Sequence, residues 1–238
     1  MKQAGNHARA LARGALLLSL GVSGAVPGAL LAATSGYLER WNVNGDTAGW
    51  EGNTIVSSVS QVNAGGNPGG YLNSVGTGSG TFDIGAVSHL SALTGSYTGQ
   101  VWTAKFDVNY LRGNFDDAWL RFRFQDSSHN GWRFHLTDSF PSGAWQSYSV
   151  TFDPSWSDAQ AMAAGWATDL ADGSGSVSFS ETLSNVFTTE VRISGVGDVQ
   201  AGIDNFNLVG EVPEPSTYAM MLGGLGLLAM GWRKRKSS

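Results

Sequence analysis

The sequence predicts an all-β domain, two antiparallel sheets packed as a sandwich with one short helix, set between two apolar ends. Three observations carry that prediction. Apolar residues through the middle of the chain recur mostly at every second position, and Gly, Asn, Asp and Ser cut those runs into short pieces. The 238 residues also contain no cysteine, so no disulfide assists the core.

Taken in order, the chain opens with Lys2, Arg9 and Arg13 before an apolar stretch that begins near Ala15 and ends among small residues. That is the pattern of a secretory signal peptide over residues 1–33, cut after Ala25 (Ser23 lies two residues before it) or after Ala33. The domain follows at 34–210. Short strands are expected at 54–62 and 81–87, each bounded by turn residues. At 101–110, Trp102, Ala104, Phe106, Val108 and Tyr110 alternate with Val101, Thr103, Lys105, Asp107 and Asn109, one apolar face against one polar face. At 118–126, Leu120, Phe122 and Phe124 oppose Trp119, Arg121, Arg123 and Gln125. The turn-rich stretch DSSHNG folds that strand onto the next, where Trp132, Phe134 and Leu136 oppose Arg133, His135 and Thr137. A strand at 146–152 comes next. Between 153 and 172 the period changes: Trp156, Ala159, Ala163, Trp166 and Leu170 recur at helical steps after an Asp153-Pro154-Ser155 start, with Gly165 costing about 1 kcal/mol relative to Ala. Strands at 191–194 and 203–209 close the domain. Half-buried strands this short must cover their apolar faces with a second sheet. Trp102, Trp132, Trp156 and Trp166 fall on apolar sides and are core candidates; Trp41 and Trp50 flank the 42–49 loop as core or rim.

The last element is the tail. Residues 218–232 carry no charge. As a helix they cover about 22 Å, short of the roughly 30 Å hydrocarbon core, and Ser216, Thr217 and the stems of Arg233 and Lys234 lend the missing length. Arg233, Lys234, Arg235 and Lys236 place the residues 233–238 in the cytoplasm and the domain across the membrane. Pro213, Glu214 and Pro215, in the linker 211–217, precede this helix. Triplet, apolar run and basic end together resemble the PEP-CTERM sorting signal, which exosortases recognise and process in exopolysaccharide-making Gram-negative bacteria. The resemblance implies a transient inner-membrane anchor, an exosortase-type processing protease as partner, and a cell-surface or extracellular destination.

A second resemblance lies inside the domain. GDTAGW (45–50), GGNPGGYL (65–72), FSETLSNVFTTEVRISG (179–195) and AGIDNFNLVG (201–210) resemble the laminin IV (laminin B) module, itself similar to the galactose-binding-like jelly rolls of many carbohydrate-binding modules. This implies a jelly-roll order of strands. It also implies a structural calcium between the first and last strands, with Asp46 and Asp204 as its carboxylates. The alternative for Asp204 is a cap on its own turn.

Composition narrows the chemistry. Residues 34–210 hold 13 Asp and 4 Glu against one Lys and six Arg, a net charge of −10 that repels nucleic acid. His89, His129 and His135 stand in no nucleophile motif, and the four glutamates, Glu39, Glu51, Glu181 and Glu190, are scattered, so no catalytic constellation is expected. Asp126, Asp172 and Asp198 sit among turn residues that they can cap. Binding is the stronger expectation: Lys105, Asp107, Asn109, Trp119, Arg121, Arg123, Arg133 and His135 lie on the polar faces of three strands, and on one surface they would match a glycan. An aromatic ring takes the C–H face of a sugar while amides, carboxylates and guanidinium groups pair with hydroxyls. The competing expectation is a solvated sheet face with cross-strand Arg/Asp pairs, in a structural matrix or envelope protein without a small ligand.

Overall fold

Two long strands organise the domain. The computed structural model describes residues 32–53, 57–124, 130–169 and 177–211; the expected signal peptide up to residue 31, the sorting triplet, the apolar helix at 218–232 and the terminal cations lie outside the described residues. In chain order the elements are β1 (Tyr37–Glu39), β2 (Trp50–Gly52), β3 (Ser57–Gly66), β4 (Gly69–Gly76), β5 (Thr81–Ser88), β6 (Val101–Phe124), β7 (Gly131–His135), β8 (Trp145–Phe152), α1 (Asp158–Ala163), β9 (Trp166–Asp169), α2 (Phe179–Ser184) and β10 (Val186–Glu211). β6 and β10 pair antiparallel from Val186↔Phe124 to Glu211↔Val101, with register shifts clustered between Ser194 and Ala201.

Those shifts divide the ladder. On one side of them β10 and β6 continue outward to β5 and β2 and to β7 and β9, the first sheet. On the other side they continue to β4, β3 and β1 and to β8, the second sheet. The two halves stack face to face: Phe122 of the first sheet meets Phe152 of the second with ring centroids 5.0 Å apart, and Trp50 meets Phe206 at 4.9 Å. The sandwich is therefore one antiparallel sheet folded on itself through two shared strands. Gly113 stands at the fold with φ +123°, and a Cβ there would lie 2.6 Å from the Val199 side chain. Along β6 the apolar set Trp102, Ala104, Phe106, Val108, Tyr110, Ala118, Leu120 and Phe122 is fully inside. Its alternation holds across the bend because a bulge at Asp116 restores the parity.

Several expectations change. The strands read at 101–110 and 118–126 are one, as are those at 191–194 and 203–209; the glycines between them mark bends, not ends. The helix read at 153–172 is only α1, with a Ser157–Gln160 capping box at its start. It stops before Gly165, at φ +98°, and Trp166 then turns into β9, where its indole stacks on Phe122 at 5.6 Å. A second helix, α2, was not expected; it begins at an S-x-x-E start whose Ser178 hydroxyl accepts the Glu181 N–H. It buries Phe179 and Leu183.

If a signal peptide is removed, the N-terminal edge of the domain favours one of the two expected cuts over the other. Ala33 is buried and donates its N–H to Ser96 O at 2.9 Å, while Thr34 N–H reaches Ala92 O at 2.9 Å. A cut after Ala33 would remove a seated residue and put a charged amine in its place, whereas a cut after Ala25 leaves this lacing intact. N-terminal sequencing of the exported protein is expected to begin at Val26; a start at Thr34 would show that the lacing is dispensable.

Candidate functional site

The fold splits the surface expected from the sequence. Lys105, Asp107 and Asn109 stand on the outer face of the second sheet, whereas Trp119, Arg121, Arg123, Arg133 and His135 belong to the first. Because β6 crosses between the sheets, residues on the same polar side of one strand finish on opposite sides of the sandwich. Gln125 lies outside the described residues.

On the first sheet the arginines are consumed by their neighbours. Trp119 is only 9% exposed, and the guanidinium groups of Arg133 and Arg192 lie 5.0 and 5.7 Å from its ring centroid, so no sugar face can reach it. Arg121 is fully buried, ion-paired with Asp169 and, at 3.5 Å, with Glu190. Glu190 also takes Arg123 Nε at 2.7 Å and the Thr188 hydroxyl at 2.9 Å. Burial pulls the Arg121 pKa down to about 10 against the opposing pull of Glu190, which leaves it charged at neutral pH. Arg192 pairs with Asp83, and His135 sits 2.7 Å from Asp117 and 3.0 Å from Asp138. This face matches the competing expectation of a sheet laced by cross-strand ion pairs.

The second sheet is different. Asp107 and Asp204 are cross-strand partners, both buried, and tie down the β3–β4 turn. Asp204 accepts the N–H groups of Asn67 at 2.6 Å and Asn205 at 2.7 Å; Asp107 accepts the side-chain amides of Asn67 at 3.1 Å and Asn205 at 2.7 Å. Burial raises the Asp204 pKa, the two N–H groups oppose it, and the Asp107 charge adds to it. Beside this knot runs a trough of about 390 Å³, walled by Arg40, Lys105, Ser147, Ser149 and Asn207. Among the described residues no ion pair engages Arg40, Lys105 or Arg112.

Beyond the trough lies an aromatic pair that sequence reasoning missed. Trp145 starts β8 opposite Asn109, its Nε1–H donates to Gly65 O at 3.0 Å, and its ring lies 5.6 Å from that of Tyr71 on β4. The far end of the indole therefore reaches Gly202, and the side chain stays partly exposed. Gly202 makes this possible: a Cβ there would come within 2.9 Å of both rings. Asn109, the cross-strand partner of Trp145, is buried with Oδ1 unbonded among the described residues, and Gln200 donates to Asn73 Oδ1 at 2.8 Å. The signal was present in SGAWQSYSV, where Trp145 alternates with Ser147 and Ser149 on a polar face.

The two carboxylates expected to hold calcium each have hydrogen-bond partners of their own. Exposed Asp46 accepts the Ala48 N–H at 2.7 Å and closes its own turn, and both Asp204 oxygens already serve backbone amides. A calcium ion asks for six to eight oxygens, and among the described residues no group of three or more His, Cys, Asp or Glu is placed to hold a metal.

Comparison with known proteins bears on both ends of this description. Residues 211–236 match the PEP-CTERM protein-sorting motif. Among the described residues no helix is long and apolar enough to cross a membrane. No curated protein matches the chain. Solved structures of similar shape include an exo-β-agarase (14% identity, TM-score 0.50, covering 76% of this chain and 26% of that one). They also include the family 11 carbohydrate-binding module of a cellulosomal cellulase of Clostridium thermocellum (16%, TM-score 0.49, 77% and 99%). A third is endo-1,4-β-D-xylanase 10B of Clostridium thermocellum complexed with xylohexaose (15%, TM-score 0.49, 76% and 30%). The chain thus spans under a third of the agarase and xylanase chains and nearly all of the family 11 module. At these identities the likeness is one of fold.

Proposed function

We propose that the domain is a non-catalytic glycan-binding module of an exported, exosortase-sorted protein, and that it holds exopolysaccharide along the outer face of the second sheet. The sorting motif at 211–236 marks an exported chain, anchored in the membrane until an exosortase cleaves it. In this reading Pro213, Glu214 and Pro215 stay extended outside the membrane, since proline resists helix, and Arg233, Lys234, Arg235 and Lys236 stay inside. The cut releases the sandwich to the cell surface or matrix.

The observation that carries the binding reading is Trp145, a partly exposed indole that reaches over Gly202 and meets Tyr71 edge to face. A partly exposed indole on a sheet, beside Asn73, Gln200 and the trough that Lys105 lines, has the amphipathic make-up of a sugar site. Hydrolysis is a poor fit. It needs two carboxyl groups on either side of a scissile bond, and Asp107 and Asp204 are adjacent, buried and occupied by asparagine amides. Affinity electrophoresis through gels containing the producing cell's own exopolysaccharide tests this. Retardation of the exported protein is expected; unretarded migration would favour a purely structural matrix protein, the reading that the paired arginines of the first sheet support.

A further inference from the structure

We infer that the first sheet carries a second, smaller sugar site on the opposite side of the sandwich, one that accepts a single uncharged pyranose ring; the inference rests on the glycan-binding reading above. A cavity of about 240 Å³ opens there, with Val87 as its floor. In register across three strands, Glu51 on β2 faces Val87 on β5, which faces Glu190 on β10, so a small apolar residue lies between two carboxylates. Phe187 falls at the register shift between Val186 and Thr188, and a bulge of this kind re-aims a side chain. Its ring packs edge-on to His89 with centroids 5.1 Å apart, which gives the cavity an aromatic wall.

Two polar atoms of the residues that line it have no hydrogen bond among the described residues: Glu190 Oε2, which meets Arg121 at 3.5 Å, and Asn53 Nδ2. Buried polar groups are normally satisfied. Carboxylate acceptors and guanidinium and amide donors that line one cavity suit hydroxyl groups, which both donate and accept. Arg123 offsets Glu190, and Glu51 leaves the lining with one net negative charge, which disfavours an anionic sugar. The volume falls below the 300–1,000 Å³ typical of larger ligands, which limits the occupant to about one ring. With sites on both faces, the domain would bridge polysaccharide strands instead of coating one, and bridging gains avidity from the second contact.

The test uses the full-length protein in a sugar-free detergent. Saturation-transfer NMR with glucose, galactose, mannose and xylose as separate probes reads the cavity, and gel retardation by exopolysaccharide reads the Trp145 face. Val87→Phe fills the cavity from an outward-facing strand position, and His89→Ala removes half its wall. We expect at least one monosaccharide signal, lost in V87F and at least fivefold weaker in H89A, with retardation kept in both; W145A should show the reverse. A monosaccharide signal that survives V87F, or that vanishes in W145A, overturns the inference. Absence of any monosaccharide signal beside intact retardation also overturns it and leaves the glycan-binding reading standing, whereas loss of both in the wild-type protein removes that reading too.

Discussion

Glu190→Ala is expected to destabilise the domain by about 3–5 kcal/mol, the usual cost of breaking a buried ion pair by removing one partner. Glu190 is 2% exposed and holds together Arg121, Arg123 and Thr188. Its removal leaves the fully buried Arg121 with Asp169 alone, and the Thr188 hydroxyl without its acceptor. At roughly 2–4 °C per kcal/mol for a domain of this size, the melting temperature should fall by about 6–20 °C. Calorimetry of the variant measures this directly. The double replacement Arg121→Met with Glu190→Leu separates charge from packing: buried pairs replaced by apolar residues of similar volume are often neutral or better, so much of the loss should return. A single variant as stable as the wild type would mean that the pairing contributes nothing beyond what water would supply.

That network also explains what the sequence could and could not convey. The inner face was legible, because Trp102 to Tyr110 and Leu120 to Phe122 keep a period of two in any sheet that buries them. Polar alternation was legible too, but alternation specifies a side of the strand and not what lies on that side. Arg121 reads as solvated and is buried, because Glu190 and Asp169 arrive from β10 and β9, distant in sequence. Lys105 and Trp119 read as neighbours on one surface, yet the register shifts near Gly195 and Gln200 send their halves of β6 to opposite sheets. Trp166 reads as helical by spacing; its burial against Phe122 and its pairing with Phe134 decide for strand. Each discrepancy arises where a contact between distant segments overrides a local pattern.

The same reasoning makes Gly202 the sharpest probe of the second sheet. Trp145→Ala should remove glycan retardation, since central aromatic anchors commonly cost 2 kcal/mol or more when truncated, about 30-fold in affinity. That result alone does not separate a platform from a general support. Gly202→Ala does. The atoms that a Cβ would meet at 2.9 Å are Cη2 at the far end of the Trp145 indole and Cδ2 of the Tyr71 ring; both side chains are only partly buried and can shift, and the backbone at Gly202 requires no left-handed conformation. Stability should therefore change by less than about 1 kcal/mol. The rings, however, cannot stay where they are, and a stacking surface displaced by a few tenths of an ångström to an ångström loses complementarity with a rigid sugar. We expect Gly202→Ala to weaken retardation about tenfold, equivalent to about 1.4 kcal/mol, with a melting temperature near that of the wild type. If Gly202→Ala binds like the wild type while Trp145→Ala does not, the indole acts from some position other than the one above Gly202. If neither variant changes retardation, the glycan is held elsewhere on the molecule.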